Sequence, residues 1–64
     1  MREQQILRNL GQGPGPIPAM VEAMYQGTDP RLFPAAGRSV LAHLVDLRER
    51  GLVRSNGDTW TLAA

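Results

Sequence analysis

The sequence predicts a mainly α chain with a small β-hairpin, an α+β arrangement of three helices followed by a two-stranded unit. Three observations carry that prediction. Pro34 to Gly51 is the longest segment with a single helical period. Ile17, Met20, Val21, Met24 and Tyr25 match a second amphipathic template, at positions 0, 3, 4, 7 and 8. Asn56-Gly57, the dipeptide that most favours a type I′ turn, separates two short β-prone runs near the end.

The first helix is expected over 2–10, where Ile6, Leu7 and Leu10 supply one apolar face and Gly11 ends it. GQGPGPIP follows, and its three glycines and three prolines make it a turn-rich connector. It is no dinucleotide fingerprint, because a helix rather than a strand precedes it and its third glycine comes too early. The second helix is expected over 18–26, with Pro18 in its first turn and Gly27 closing it. Thr28, Asp29 and Pro30 bring turn chemistry, and Phe33, extended because it precedes proline, is expected to plug the core beneath the next helix.

The third helix, expected over 34–50, organises the rest. Ala36, Val40, Leu44 and Leu47 recur at spacings of four, four and three and form the stripe that must be core. Pro34 suits its first turn and Gly51 the left-handed position after its end. Arg38, Ala42, Asp46 and Glu49 project away from the core, where Leu41 and Val45 add a second, smaller apolar strip. That strip is either incidental surface or a docking surface, with Leu7 as a further member.

The hairpin is expected over 52–55 and 58–62. A loop of Asn56 and Gly57 pairs Ser55 with Asp58, Arg54 with Thr59 and Val53 with Trp60. Val53, Trp60 and Leu62 then share one face, and Arg54, Thr59 and Thr61 the other. That register makes Trp60 a lid on the core rather than a platform for stacking bases.

With 64 residues the chain makes one domain, 1–64, whose folding buries roughly 60% of its unfolded surface. Its seven arginines nearly balance six acids, leaving a net charge of +1 and no strong field for nucleic acid or anionic membrane. The absence of cysteine excludes disulfides and thiolate zinc sites and fits a reducing compartment. No apolar run approaches the ~20 residues of a membrane span, so a cytoplasmic location is expected.

The residues offer no chemistry of their own. His43 has only Asp46 as a helical neighbour, too few ligands for zinc, and it is expected to be half-buried and bonded to a backbone carbonyl. Ser39 lies four residues before His43, but no third group orients the pair for nucleophilic catalysis. No catalytic, cofactor or metal residues are therefore expected in this chain.

Helix, helix, long helix and hairpin is the layout of a winged-helix domain, in which the hairpin is the wing. The small strand usual between the first two helices would fall in GQGPGPIP, where the prolines leave it little room. Such folds commonly bind DNA, and Arg31, Arg38 and Arg54 are the candidate phosphate contacts. Against that use, the outward start of the third helix offers Ala35, Arg38, Ser39 and Ala42, poor in side chains that read base edges. The link from Tyr25 to Pro34 is also about eight residues, against the three to four of a DNA-reading helix-turn-helix. The other use is as a packing module, through Leu41, Val45 and Leu7.

Arg2, Glu3, Ile6, Leu7, then Ile17, Pro18, Val21 and Tyr25, then Ala36, Val40, His43, Leu44, Leu47 and Gly51 carry a resemblance that spans the chain up to the hairpin. The pattern resembles the C-terminal winged-helix domain of metallo-β-lactamase-fold hydrolases of the β-lactamase-like 2 group. Pro16 stands where that family often has a capping threonine. The resemblance implies a partner, an N-terminal zinc-hydrolase domain with a His-x-His-x-Asp-His motif that is absent from this chain. No catalytic residue is thus carried over, and zinc is expected only in the parent. It further implies a non-catalytic accessory domain that packs near the active-site mouth and helps position substrate, which in some relatives is single-stranded RNA and in others a thioester or glyoxalase-type compound. A stand-alone DNA-binding regulator is the alternative.

Overall fold

The computed structural model describes residues 2–63. The chain forms α1 (Arg2–Leu10), β1 (Gly15–Pro16), α2 (Ile17–Met24), a 3₁₀ turn (Pro30–Leu32), α3 (Phe33–Glu49), β2 (Val53–Asn56) and β3 (Thr59–Leu62). The strands make one antiparallel sheet in the order β1-β3-β2. The architecture is three helices and a small three-stranded sheet.

The expected stripe of α3 is its buried face: Ala36, Val40, Leu44 and Leu47 meet Ile6 and Leu10 of α1, Met20 and Val21 of α2, and Val53 and Trp60 of the sheet. One contiguous core thus joins every layer, which a chain this short requires. The end of α3 is closed at Gly51, as expected. Gly51 takes φ 81°, its N–H donates to the Arg48 carbonyl at 3.0 Å, and the Leu52 N–H donates to the Leu47 carbonyl at 2.9 Å. This is the Schellman pattern, and it turns the chain into β2. Arg50 then ties α3 to α1 through Glu3 at 2.8 Å and to its own helix through Asp46 at 3.2 Å.

Four local expectations change. The prolines do not exclude a strand before α2, because Gly15 and Pro16 pair with Trp60 and Thr59 of β3. A two-residue edge strand leaves a proline's missing N–H facing outward, where no ladder needs it. The second helix ends at Met24, two residues early. Tyr25 leaves helical geometry at φ −117° and ψ 35°, and the Thr28 N–H donates to its carbonyl at 3.0 Å.

Phe33 is not extended. It lies at φ −60° and ψ −39°, since the 3₁₀ turn runs straight into α3 and the Phe33 N–H donates to the Pro30 carbonyl. Its ring still packs half-buried against the core. Finally, the hairpin loop is Gly57 and Asp58 rather than Asn56 and Gly57. Gly57 alone takes a positive φ of 61°, so Asn56 stays in β2, and a glycine in the first loop position is the type II′ arrangement. Each partner therefore moves by two: Val53 faces Leu62, Arg54 faces Thr61 and Ser55 faces Trp60. An even slip keeps every side chain on its predicted face. Leu62 shares the core face but sits at the sheet's end, 38% exposed.

The 3₁₀ turn is fixed by its own charge pair. The Asp29 carboxylate accepts the Arg31 N–H at 3.0 Å and the Arg31 guanidinium at 2.7 and 3.0 Å. The guanidinium contact first, and the backbone N–H second, hold the Asp29 carboxyl below the usual aspartate value. Because the folded value is the lower one, the small stabilisation from this exposed pair is full above the unfolded value of about 3.9. It is lost as pH falls through the folded value. An NMR titration of the Asp29 carboxyl carbon should give a midpoint below the usual aspartate value that rises in Arg31→Ala. An unchanged midpoint in that variant would remove the guanidinium as the cause.

Candidate docking surface

The outward side of α3 is not uniformly polar. At about 100° per residue, Pro34, Gly37, Leu41, Val45 and Arg48 fall on one arc beside the buried stripe. Leu41 is 42% exposed, Val45 and Gly37 are half-buried, and Pro34 is exposed. The Leu41/Val45 strip of the sequence is therefore the middle of a longer surface. The other elements extend it further.

Two apolar grooves open along this arc. The first, of about 470 Å³, lies between α2 and the start of α3, walled by Ile17, Pro18, Val21, Phe33 and Pro34 with Glu22 at its side and Gly37 on α3. The second, of about 500 Å³, lies between Leu41 and the hairpin loop, walled by Pro16, Ile17, Pro18 and Trp60 with Asp58 at its side. Ile17 and Pro18 stand in both and form the ridge between them. At Gly37 an added Cβ would meet Ile17 Cγ2 at 3.7 Å and Val21 Cγ2 at 4.0 Å, ordinary contact distances. The glycine is therefore not forced by helix packing.

Leu7 does not join this surface. It lies on α1, half-buried and packed against the core cluster. One position on from the buried Ile6, it lies at the edge of the α1 face that meets the core. The candidate phosphate contacts are dispersed as well. Arg31 is engaged by Asp29 at 2.7 Å. Arg38 is exposed on the first half of α3, and Arg54 is exposed on β2 beside Arg48, in an open concavity with Ser55 and Gly51. Arg38 and Arg48 are ten positions apart on α3, about 15 Å along the axis.

Arg48 itself was not singled out by the sequence. Its guanidinium sits 5.4 Å from the Trp60 ring centre and donates to Ser55 Oγ at 2.9 Å, clamping α3 to the hairpin. A basic residue one helical turn beyond Leu41/Val45 was the available signal, but the contact spans elements. The half-buried His43 takes part in none of the side-chain hydrogen bonds among the described residues, so the expected bond to a carbonyl is not made. Among the described residues no three His, Asp or Glu side chains are grouped to hold a metal ion, and no helix is long and apolar enough to cross a membrane.

Three helices, a short strand after the first, and a hairpin that pairs with it define a winged-helix domain. Such a domain is not itself a catalytic unit. Residues 17–60 match the model of the beta-lactamase associated winged helix domain, and the chain belongs to that family. Searches of curated proteins and of solved structures return no match. The family name places such domains with β-lactamase-fold proteins.

Proposed function

We propose that the chain is the non-catalytic accessory domain of a zinc-dependent hydrolase of the metallo-β-lactamase superfamily. It packs on the catalytic domain through the Leu41/Val45 face and helps position that domain's substrate, with RNA as one candidate. The observation that supports this most is the outer arc of α3 over Pro34, Gly37, Leu41 and Val45, on a domain whose core cluster is formed without it. An uncovered apolar strip next to preformed grooves is the signature of a surface kept for a partner. Zinc belongs to the parent domain in this reading, and no residue of this chain holds it.

A stand-alone DNA-binding regulator finds less support. Arg31 is engaged by Asp29, and the link before α3 is a longer connection that includes a 3₁₀ turn rather than a short helix-turn-helix corner. The test is the double substitution Leu41→Asp, Val45→Asp. Circular dichroism should show a folded domain, while its association with the β-lactamase-fold domain of the native protein weakens about a hundredfold or more, as loss of two apolar contacts predicts. Undiminished association would sink the proposal. An unfolded variant would show that this face belongs to the core.

A further inference from the structure

The two grooves share a feature that the apolar arc alone does not explain. Each is flanked by one ionisable side chain, and both are acids: Glu22 beside the first groove and Asp58 beside the second. Among the described residues neither carboxylate makes an ion pair; Glu3, Asp29 and Asp46 each do, and the exposed Glu49, which also makes none, lines neither groove. No arginine lines either groove. A partner that covered these walls with apolar surface alone would strip water from two unpaired carboxylates, which is strongly unfavourable.

We infer that the occupant is an apolar segment of the β-lactamase-fold domain flanked by lysine or arginine side chains. Its apolar residues enter the grooves on either side of the Ile17-Pro18 ridge, and its cations meet Glu22 and Asp58. This rests on the reading of the chain as a docking domain and adds the chemistry of the partner. Pro16, Pro18 and Pro34 fix the groove walls, so little ordering is required on binding. Complementary charge at the rim sets orientation and speeds encounter, and basic side chains lay their aliphatic stems on apolar walls while the heads reach the acids.

The experiment measures association of the chain with the β-lactamase-fold domain of the native protein by titration calorimetry, at about 0.05 and about 0.5 M salt. Glu22→Lys with Asp58→Lys should weaken it by about tenfold or more at low salt, and Glu22→Gln with Asp58→Asn by less. Wild-type affinity should fall with salt, while that of the neutralised variant should be nearly flat. Leu41→Asp serves as the control for the docking face. If Leu41→Asp abolishes association but charge reversal leaves it unchanged, docking stands and the basic-segment inference is overturned. If neither changes association, both fall. Self-association of the chain alone, seen by sedimentation and lost on charge reversal, would put a second copy in the grooves and would also overturn the inference.

Discussion

Trp60→Ala is expected to leave the domain largely unfolded at 37 °C. The indole is 6% exposed and belongs to the core cluster. It occupies the central strand, facing Ser55 of β2 on one side and Gly15 of β1 on the other. Removing it takes away the lid over α3, the stacking surface for Arg48 and the anchor of the β1 pairing together. Truncation of a buried tryptophan costs about 3–5 kcal/mol. A chain of 64 residues has about 3–10 kcal/mol in total at ordinary values per residue. Thermal unfolding followed by far-ultraviolet circular dichroism should therefore lose its cooperative transition or show it lowered by tens of degrees. Trp60→Phe should recover most of it, because a ring still covers α3. A Trp60→Ala midpoint within about 5 °C of wild type would show that the sheet is not part of the cooperative unit.

The second large effect is a contrast within one helix. Leu44→Ala should destabilise by about 2–5 kcal/mol, since Leu44 is fully buried at the centre of the core stripe. Leu41→Ala, one turn earlier and 42% exposed, should change stability by no more than about 0.5 kcal/mol. Urea unfolding of the two variants gives both numbers in one assay. In the association assay the order should reverse, with a folded Leu41→Ala binding more weakly than wild type. Similar stability losses for the two leucines would mean that α3 is buried on both sides, and the docking face would have to be sought elsewhere.

Much of the fold was legible because each helix carries its own in-and-out pattern. Ala36, Val40, Leu44 and Leu47 could be assigned to the core from spacing alone, and Gly51 to a left-handed closure from its place after the last apolar turn. The faces of the hairpin were legible even though its loop was placed one residue early. Periodicity of two survives an even slip, whereas the choice between turn types depends on which residue takes the positive φ. β1 was illegible, because nothing local marks Gly15 and Pro16 as a strand; their state exists only through pairing with Thr59 and Trp60, over forty positions away.

The candidate site divides along the same line. Leu41 and Val45 were visible as an apolar strip on a polar side of α3, and Leu7 was grouped with them for want of any tertiary information. The contributions of Ile17, Pro18, Phe33, Gly37 and Trp60 to that surface were not visible, since Ile17, Phe33 and Trp60 read as core, Pro18 as a helix start, and Gly37 carries no side chain to signal a face. The sequence by itself determined the three helices, the buried stripe, the hairpin faces and the family. The tertiary structure alone decided which half-buried residues from different elements meet to form the grooves, and that Glu22 and Asp58 flank them. The reason is physical: side-chain periodicity records each element's exposure to the core, but adjacency between elements is set by long-range packing that leaves no periodic trace in the chain.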